Sequence, residues 1–241
     1  FNTHKARCSL LETIPSNVDF SRAKWRGGYV RSELDGMVSS NEQRALWVLN
    51  QAEQYLNDIH RVKGLGFCTS IKHARFMADF FNSKGVKAKA LWGDSPQSER
   101  DSIQQDLVTN KINFIFTVDL YNEGVDIPAV DTVLFLRPTE SLTVFLQQLG
   151  RGLRTCDHKS ELTVLDFIAP QHRNFRFARR SQALTSRPEL RIDDQVEKGM
   201  PYLPPGSFLH LEKRAKKSVQ QNIKDSTNLL RGKRILGELR D

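Results

Sequence analysis

The chain contains 241 residues, of which 39% are hydrophobic, and it carries a net charge of +8 at pH 7. This apolar content suffices for a buried core, but no apolar run approaches the ~20 residues of a membrane span. We do not expect the polar N-terminal segment, which Pro15 interrupts, to act as a signal peptide. Three dispersed cysteines (Cys8, Cys68 and Cys156) and six dispersed histidines predict neither a disulfide framework nor a metal site, so we expect reduced thiols and a cytoplasmic location.

The first predicted element is a helix within the first 60 residues. Apolar residues recur there at steps of three and four positions, which is the pattern of a helix with one buried face. The stripe consists of Leu46, Leu49, Ala52, Leu56 and Ile59. We assign it to the core, without a functional role. Because the chain starts with Phe1 instead of methionine, we expect it to be part of a longer protein.

Five short apolar runs follow, separated by segments with helical periodicity. The runs have the length of buried strands, and they lie at residues 64–68, 88–92, 112–117, 132–136 and 162–167. Gly85 is placed as a helix terminator, and Pro96 as a helix start after Asp94 or Ser95. Strands that alternate with helices predict an α/β fold, namely a RecA-like parallel sheet with helices on both faces.

A polar segment follows the third apolar run. It spans residues 116–128, contains Gly124 and Asp126, and ends at Pro128. Gly124 allows a close backbone approach, and Asp126 can accept hydrogen bonds from a ribose hydroxyl or brace an arginine. Open α/β sheets bind ligands beyond the carboxyl ends of their strands, so both residues are candidates for nucleotide contacts.

Two arginines three positions apart begin the next predicted helix. Residues 147–154 read Gln-Gln-Leu-Gly-Arg-Gly-Leu-Arg. A helix places residues i and i+3 on one face, so the guanidiniums of Arg151 and Arg154 can reach a single phosphate group. Such a pair suits arginine fingers directed at a transferring γ-phosphate. For these two residues taken alone, a solvated helix face stays open as the alternative.

The positive charge is concentrated towards the C-terminus. Residues 171–241 contain 16 Lys and Arg against eight Asp and Glu, so they carry the whole net charge. The basic residues form two clusters, Arg173, Arg176, Arg179 and Arg180, and then Lys213, Arg214, Lys216 and Lys217. Each cluster is either a salt-sensitive polyanion contact or a solvated face.

The same C-terminal segment contains two aromatic residues, Phe175 and Phe177. We favour packing of this segment on the α/β lobe over stacking of these rings on bases. We predict a turn at 202–206 and a basic helix at 207–234.

Several of these segments resemble motifs of superfamily 2 helicases and translocases. Segments 116–128 and 147–154 resemble motifs V and VI, and segment 66–74 resembles motif IV. The strands and loops around Leu91–Asp94, Glu99–Arg100 and 131–141 complete five ordered matches across residues 64–168. The likeness is closest to bacterial DEAD/DEAH-type helicases related to the motor subunits of restriction enzymes, and it implies the C-terminal, second RecA-like lobe.

The resemblance implies three parts. These are an inter-lobe connection at 1–41, the helicase C-terminal lobe at 42–170, and a basic extension at 171–241 that leads to a further domain. A Gly-x-x-x-x-Gly-Lys-[Ser/Thr] phosphate loop and the acidic Asp-Glu-x-Asp or Asp-Glu-x-His motif do not occur in the sequence. We therefore expect an N-terminal RecA-like lobe of the same chain to hold most of the ATP and Mg²⁺. The isolated chain is not expected to hydrolyse ATP.

The resemblance also implies roles for individual residues. Arg151 and Arg154 are expected to act on the γ-phosphate, and Gln147 to order the cleft. Contacts to the nucleotide are expected from Gly124, Asp126 and Gly150. Contacts to nucleic acid are expected from Thr69, Ser70, Gly93, Thr117, Thr139 and Ser141. One departure is Val118, which stands where many relatives have a threonine, so Thr117 is the candidate for that phosphate contact.

The function expected from these residues is ATP-driven translocation along, or unwinding of, a nucleic acid, with DNA favoured over RNA. One alternative is a RecA-like lobe retained as a non-hydrolysing nucleic-acid or protein docking module. The presence of both arginines counts against it. A second alternative, an unrelated α/β nucleotide-binding enzyme, lacks the glycine-rich loop that it would need after the first strand.

Overall fold

The computed structural model describes residues 8–118, 127–138, 161–175, 177–203 and 207–238, and within these ranges the strands form one seven-stranded sheet. The strands are β1 Cys8–Pro15, β2 Gly64–Phe67, β3 Ala88–Trp92, β4 Phe114–Val118, β5 Thr132–Phe135, β6 Glu161–Ile168 and β7 Ser207–Leu211. Their order is β3-β4-β2-β5-β6-β1-β7, and every neighbouring pair is parallel. The fold is thus the predicted RecA-like α/β sheet.

The helices follow the alternation that the apolar runs predict. They are α1 Arg31–Val38, α2 Glu42–Tyr55, α3 Ile71–Ser83, α4 Gln97–Val108, α5 Phe177–Leu184, α6 Ile192–Glu197 and α7 Lys213–Glu238. As predicted, Gly85 follows the end of α3 with a φ of 84°, a conformation that glycine adopts without steric cost. Among the described residues, no helix is both long and apolar enough to cross a membrane.

Each face of the sheet carries its own apolar core. Helices α2 and α3 cover one face, where Phe81 packs edge-on against Phe114 and Phe116 of β4. Helix α4 covers the other face through Ile103 and Leu107. Side chains at Gly64 and Gly66 would overlap the rings of Phe114 and Phe116, so these two positions of β2 require glycine.

The predicted helix in the first 60 residues is present as α2, but its buried face differs from the prediction. Leu49 and Ala52 are buried as expected, whereas Leu46 is 44% exposed. The stripe also runs past the end of the helix at Tyr55. The face that α2 turns to the sheet instead includes Arg44, which is only 1% exposed. The core assignment is therefore confirmed for Leu49, Ala52, Leu56 and Ile59 and wrong for Leu46, because Arg44 occupies a core position on this helix.

The terminal segments contribute two strands of the sheet. β1 lies within the predicted connection, and β7 begins the segment that was predicted as a helix at 207–234. That prediction was wrong for residues 207–211, because the helix starts only at Lys213. Phe175 and Phe177 are buried against α7, as favoured from the sequence. The functional division at residues 41 and 170 stays a prediction, although the sheet includes strands from all three parts.

Candidate functional site

Four of the predicted site residues are described by the structure, and they lie at or just beyond the carboxyl ends of three strands. Thr69 and Ser70 follow β2, Gly93 follows β3, and Thr117 belongs to β4. The remaining predicted site residues lie outside the described part of the chain, and their roles stay predictions. They are Gly124, Asp126, Thr139, Ser141, Gln147, Gly150, Arg151 and Arg154.

The hydroxyl of Thr69 is engaged by a residue of the connecting segment. Thr69 Oγ1 lies 2.9 Å from Asp35 Oδ1 and 3.1 Å from His73 Nδ1, and the side chain is buried. Asp35 belongs to α1, so this helix is fastened to the beginning of α3. In this arrangement Thr69 does not face solvent. A direct contact with a bound strand would require the bond to Asp35 to open.

His73 is neutral at this position. Burial, with a smaller contribution from the nearby charge of Arg44, holds the pKa of His73 well below 6.5. Its Nδ1 atom accepts a hydrogen bond from the backbone N–H of Thr69 at 3.3 Å. This bond requires the unprotonated form of Nδ1, which agrees with the lowered pKa.

Ser70 starts helix α3. Its hydroxyl accepts a hydrogen bond from the backbone N–H of His73 at 3.1 Å, which is an N-cap. Lys72 and Arg75 follow on the first turns of α3, and both are exposed. The carboxyl edge near β2 therefore carries two cations beside a helix N-terminus, a combination that favours anions.

Gly93 lies in a tight turn between β3 and α4. Ser95 N donates to Trp92 O at 3.0 Å, and Arg100 Nε donates to Ser95 O at 2.8 Å. Arg100 also donates to the carbonyl of Gly93. Gly93 itself is exposed, and the space around its α-carbon is open, so a ligand can approach its backbone.

Thr117 is buried completely, which does not support the phosphate contact expected from its side chain. Its relative exposure is 0%, and its Oγ1 atom has no hydrogen-bond partner among the described residues. Its backbone carbonyl accepts a hydrogen bond from Cys68 N at 2.8 Å, which binds β4 to the end of β2. In this conformation the side chain of Thr117 has no path to a strand lying across the edge.

A buried arginine at the same edge was missed from the sequence. Arg44 Nη2 donates to the carbonyl of Leu136 at 2.9 Å, and Nη1 donates to the hydroxyl of Ser16. The guanidinium carbon also lies 5.6 Å from the centre of the Phe20 ring. Arg44 has no carboxylate partner among the described residues, and burial lowers its pKa to about 10. It stays charged at neutral pH.

Cys68 is a structural thiol. It is fully buried beside Arg44, and burial raises the pKa of the thiol, so the protonated form predominates at neutral pH. Reactive cysteines are exposed thiolates. Among the described residues, no group of three or more His, Cys, Asp or Glu side chains could hold a metal ion.

The second basic cluster lies on the first turns of α7. Lys213, Arg214 and Lys217 are exposed, whereas Lys216 Nζ donates to the carbonyl of Glu197 at 2.6 Å. Cations in the first turn oppose the helix dipole, so helix stability does not account for this placement. Two surface cavities of about 510 and 620 Å³ meet beside the cluster, and they share Pro170 and Ser218 as lining residues.

Comparison with known proteins finds a family match in the central part of the chain. Residues 47–156 match the family described as the helicase conserved C-terminal domain. The Saccharomyces cerevisiae protein IRC3, named as an ATP-dependent helicase, is 31% identical over 96 residues, which are 40% of this chain and 14% of IRC3. The EcoKI type I restriction endonuclease subunit of Escherichia coli is 29% identical over 179 residues, covering 66% of this chain and 14% of that subunit.

A solved structure supports the fold. The yeast DEAD-box splicing factor Prp28 superposes with a TM-score of 0.55 at 15% identity, over 88% of this chain and 37% of the Prp28 chain. The chain therefore spans only a minor part of the length of each of these relatives. Residues 47–156 thus resemble the helicase conserved C-terminal domain, and the chain has the α/β fold of a solved DEAD-box protein.

Proposed function

We propose that this chain supplies the second motor lobe of an ATP-dependent helicase or translocase. The observation that carries the proposal is that the Gln-x-x-Gly-Arg-x-x-Arg sequence at 147–154 falls inside the matched domain, 47–156. A motor lobe needs cations that reach a γ-phosphate, whereas a docking surface does not. The parallel sheet supports the same proposal, because it provides the carboxyl edge at which such lobes bind ligands.

In this proposal the catalytic groups of the chain act on ATP that is shared with a first lobe. Arg151 and Arg154 bind the γ-phosphate and stabilise the charge that develops on it, while Gln147 orders the cleft. Gly124, Asp126 and Gly150 contact the nucleotide. The first lobe holds Mg²⁺ and most of the phosphates, because the sequence lacks the phosphate loop and its acidic partner.

The nucleic acid is proposed to lie along the carboxyl edge of the sheet. Ser70 and Gly93 are accessible there, and Thr139 and Ser141 follow β5 in the sequence. Hydroxyls and backbone amides hold a phosphate backbone without reading its sequence. Thr69 joins this set only if Asp35 releases its hydroxyl.

DNA is proposed as the track in preference to RNA. The EcoKI subunit is part of a restriction endonuclease, whereas Prp28 is a splicing factor. The similar proteins therefore do not decide between DNA and RNA. The preference rests on the likeness of residues 122–128 and 145–154 to restriction-type motors. Competition between DNA and RNA strands of one sequence for the full-length protein would decide it, and tighter RNA binding would reverse the assignment.

Substitution of the second arginine in the full-length protein tests the motor role. We expect Arg154→Ala to reduce ATP hydrolysis by about 10³-fold or more while ATP binding changes little, since finger arginines act on the transition state. Arg61→Ala, which alters an exposed arginine outside the site, is the matched control and should leave hydrolysis unchanged.

Three outcomes are informative. Wild-type turnover by Arg154→Ala would exclude the finger role. Appreciable ATP hydrolysis by the isolated chain would exclude the need for a first lobe. A full-length protein that binds nucleic acid but never hydrolyses ATP would favour the docking module instead.

A further inference from the structure

An arginine and a tryptophan are stacked at the carboxyl edge of the sheet. The guanidinium carbon of Arg75 lies 4.6 Å from the centre of the Trp92 ring. Trp92 is the last residue of β3, an edge strand of the sheet, and its side chain is half-buried. Arg75 is exposed on α3. The exposed guanidinium therefore lies over the half-buried indole ring.

The tryptophan is held on a rigid support. Its carbonyl accepts the hydrogen bond from Ser95 N, and its own N–H lies 3.4 Å from Ser95 Oγ. Arg100 fixes the other side of the turn through the carbonyls of Gly93 and Ser95. A ring that is anchored in this way loses little conformational entropy when a ligand stacks on it.

Two exposed cations lie together on α3 at this position. Lys72 lies one turn before Arg75 on the same face of α3 and is exposed. Asp79 and Asp94 are the acidic residues nearest along these two elements. Neither forms an ion pair with Lys72 or Arg75 within the part of the chain that the structure describes. Among the described residues, Arg75 contacts the Trp92 ring, and no carboxylate is paired with either cation.

We propose that Arg75 and Trp92 form a stacking site for one base of a single-stranded nucleic acid, with Lys72 contacting a neighbouring phosphate. The proposal rests on the proposed nucleic-acid-binding function. Bases stack on arginine planes and aromatic rings irrespective of their identity, because every base has a π-face. An exposed guanidinium over an aromatic ring, beside the exposed backbone of Gly93, fits this ligand, whereas a protein partner would need a larger apolar area.

Equilibrium binding to two single-stranded probes tests the proposal on the 241-residue chain. One probe is a fluorescein-labelled oligothymidylate, and the other has the same backbone with abasic sites throughout. We expect Trp92→Leu to weaken binding of the oligothymidylate by about fivefold or more, and to leave binding of the abasic probe unchanged. Trp92→Phe should retain most of the affinity, because phenylalanine also stacks.

Further variants separate stacking from charge. Arg75→Lys keeps the charge but not the plane, so it should weaken the oligothymidylate more than the abasic probe. Lys72→Gln should weaken both probes equally. Quenching of tryptophan fluorescence by the oligothymidylate should be smaller in Trp92→Phe than in the wild type. It should persist in Trp47→Phe, the matched control on α2.

Each outcome bears on a different claim. If Trp92→Leu binds both probes like the wild type, the stacking site is wrong while the nucleic-acid-binding function stands. If Trp92→Leu loses both probes equally, Trp92 acts through the shape of the turn, and the stacking site is again wrong. If the wild type binds neither probe, both the stacking site and nucleic-acid binding by this lobe fall.

Discussion

Arg44 Nη2 donates a hydrogen bond at 2.9 Å to the carbonyl oxygen of Leu136, a residue 92 positions further along the chain. Leu136 directly follows β5 and precedes the segment that contains Thr139 and Ser141. The same guanidinium donates to Ser16 after β1. One buried cation thus joins the ends of two strands and helix α2 at the edge where the proposed ligands bind.

Replacing Arg44 should show that its charge contributes less to the stability of the fold than the packing of its side chain. Burial lowers its pKa from 12.5 to about 10, which corresponds to an electrostatic penalty of about 3 kcal/mol. Its bonds to Leu136 and Ser16 together contribute a similar amount. Arg44→Met removes both effects, so we expect a loss of only about 1 kcal/mol in the free energy of unfolding.

Arg44→Lys keeps the buried charge but cannot reach both acceptors with one ammonium group. We therefore expect it to lose about 2 kcal/mol or more, and to be less stable than Arg44→Met. Urea unfolding followed by circular dichroism measures both variants. A lysine variant more stable than the methionine variant would contradict this account.

The contact between Asp35 and Thr69 should restrain nucleic-acid binding. The Asp35 carboxylate is an anion at the proposed binding edge, and it holds a hydroxyl that could otherwise bind a phosphate. We expect Asp35→Asn to raise the affinity for a single-stranded oligonucleotide about twofold at low salt, which is the effect of one charge near 8 Å in water.

The matched control is Asp58→Asn, which removes an exposed carboxylate next to Arg61 and away from the edge. It should leave the affinity unchanged. Equal gains from the two variants would mean that Asp35 acts only through net charge. A loss of affinity in Asp35→Asn would mean that the bond to Thr69 supports the binding surface.

His73 should make the fold less stable in mild acid. Its pKa in the folded chain is well below 6.5, so the unfolded chain binds a proton that the folded chain does not. The contribution of this residue is present above pH 6.5 and is lost as the pH falls below that value. Between pH 7 and pH 5 we expect the free energy of unfolding to decrease through this residue, because only the unfolded chain takes up the proton.

His73→Asn can keep an acceptor for Thr69 N and removes the titration. Its free energy of unfolding should therefore vary less with pH than that of the wild type. His60→Asn serves as the control, because His60 is exposed. Parallel pH profiles for the wild type and His73→Asn would show that His73 does not titrate in this range.

The cluster on α7 should contribute to salt-sensitive binding. We expect replacement of Lys213, Arg214 and Lys217 by glutamine to weaken binding to single-stranded DNA. The slope of log affinity against log salt should fall by about 0.7 for each phosphate that the variant no longer neutralises. The free energy of unfolding should not decrease, because these cations oppose the dipole of α7.

Lys87→Gln is the matched control for the α7 cluster. Lys87 is exposed just before β3 begins, at the opposite edge of the sheet from the proposed track. Its substitution should leave the slope unchanged. An identical slope in the triple variant and the wild type would remove this cluster from the interface.

The sequence predicts the central strands because their residues are almost uniformly apolar, as in Phe114–Val118. β1 lacks that signature, since Glu12 and Thr13 are buried within it. Glu12 is accommodated by His210 Nδ1 at 2.7 Å, from a residue 198 positions away. Local patterns do not contain such a partner, and the strand was therefore missed.

The candidate site can be predicted from the sequence only where the local residue types determine the structure. The cap at Ser70 and the exposed turn at Gly93 follow from local residue types. The burial of Thr117, the bond from Thr69 to Asp35 and the stacking of Arg75 on Trp92 depend on which strands and helices become neighbours. Arg44 was missed for the opposite reason, because arginine is rarely placed in a core.

The order of strands in the seven-stranded sheet has a practical consequence for the design of fragments. The family match covers residues 47–156, yet β1, β6 and β7 lie outside it, as does Arg44. In a protein trimmed to residues 47–156, β5 would lose its partner β6 and become an edge strand, although all of its residues are buried in the intact sheet. Exposed apolar edge strands pair with other chains, so we expect such a fragment to self-associate. A fragment that extends from β1 to β7 should not.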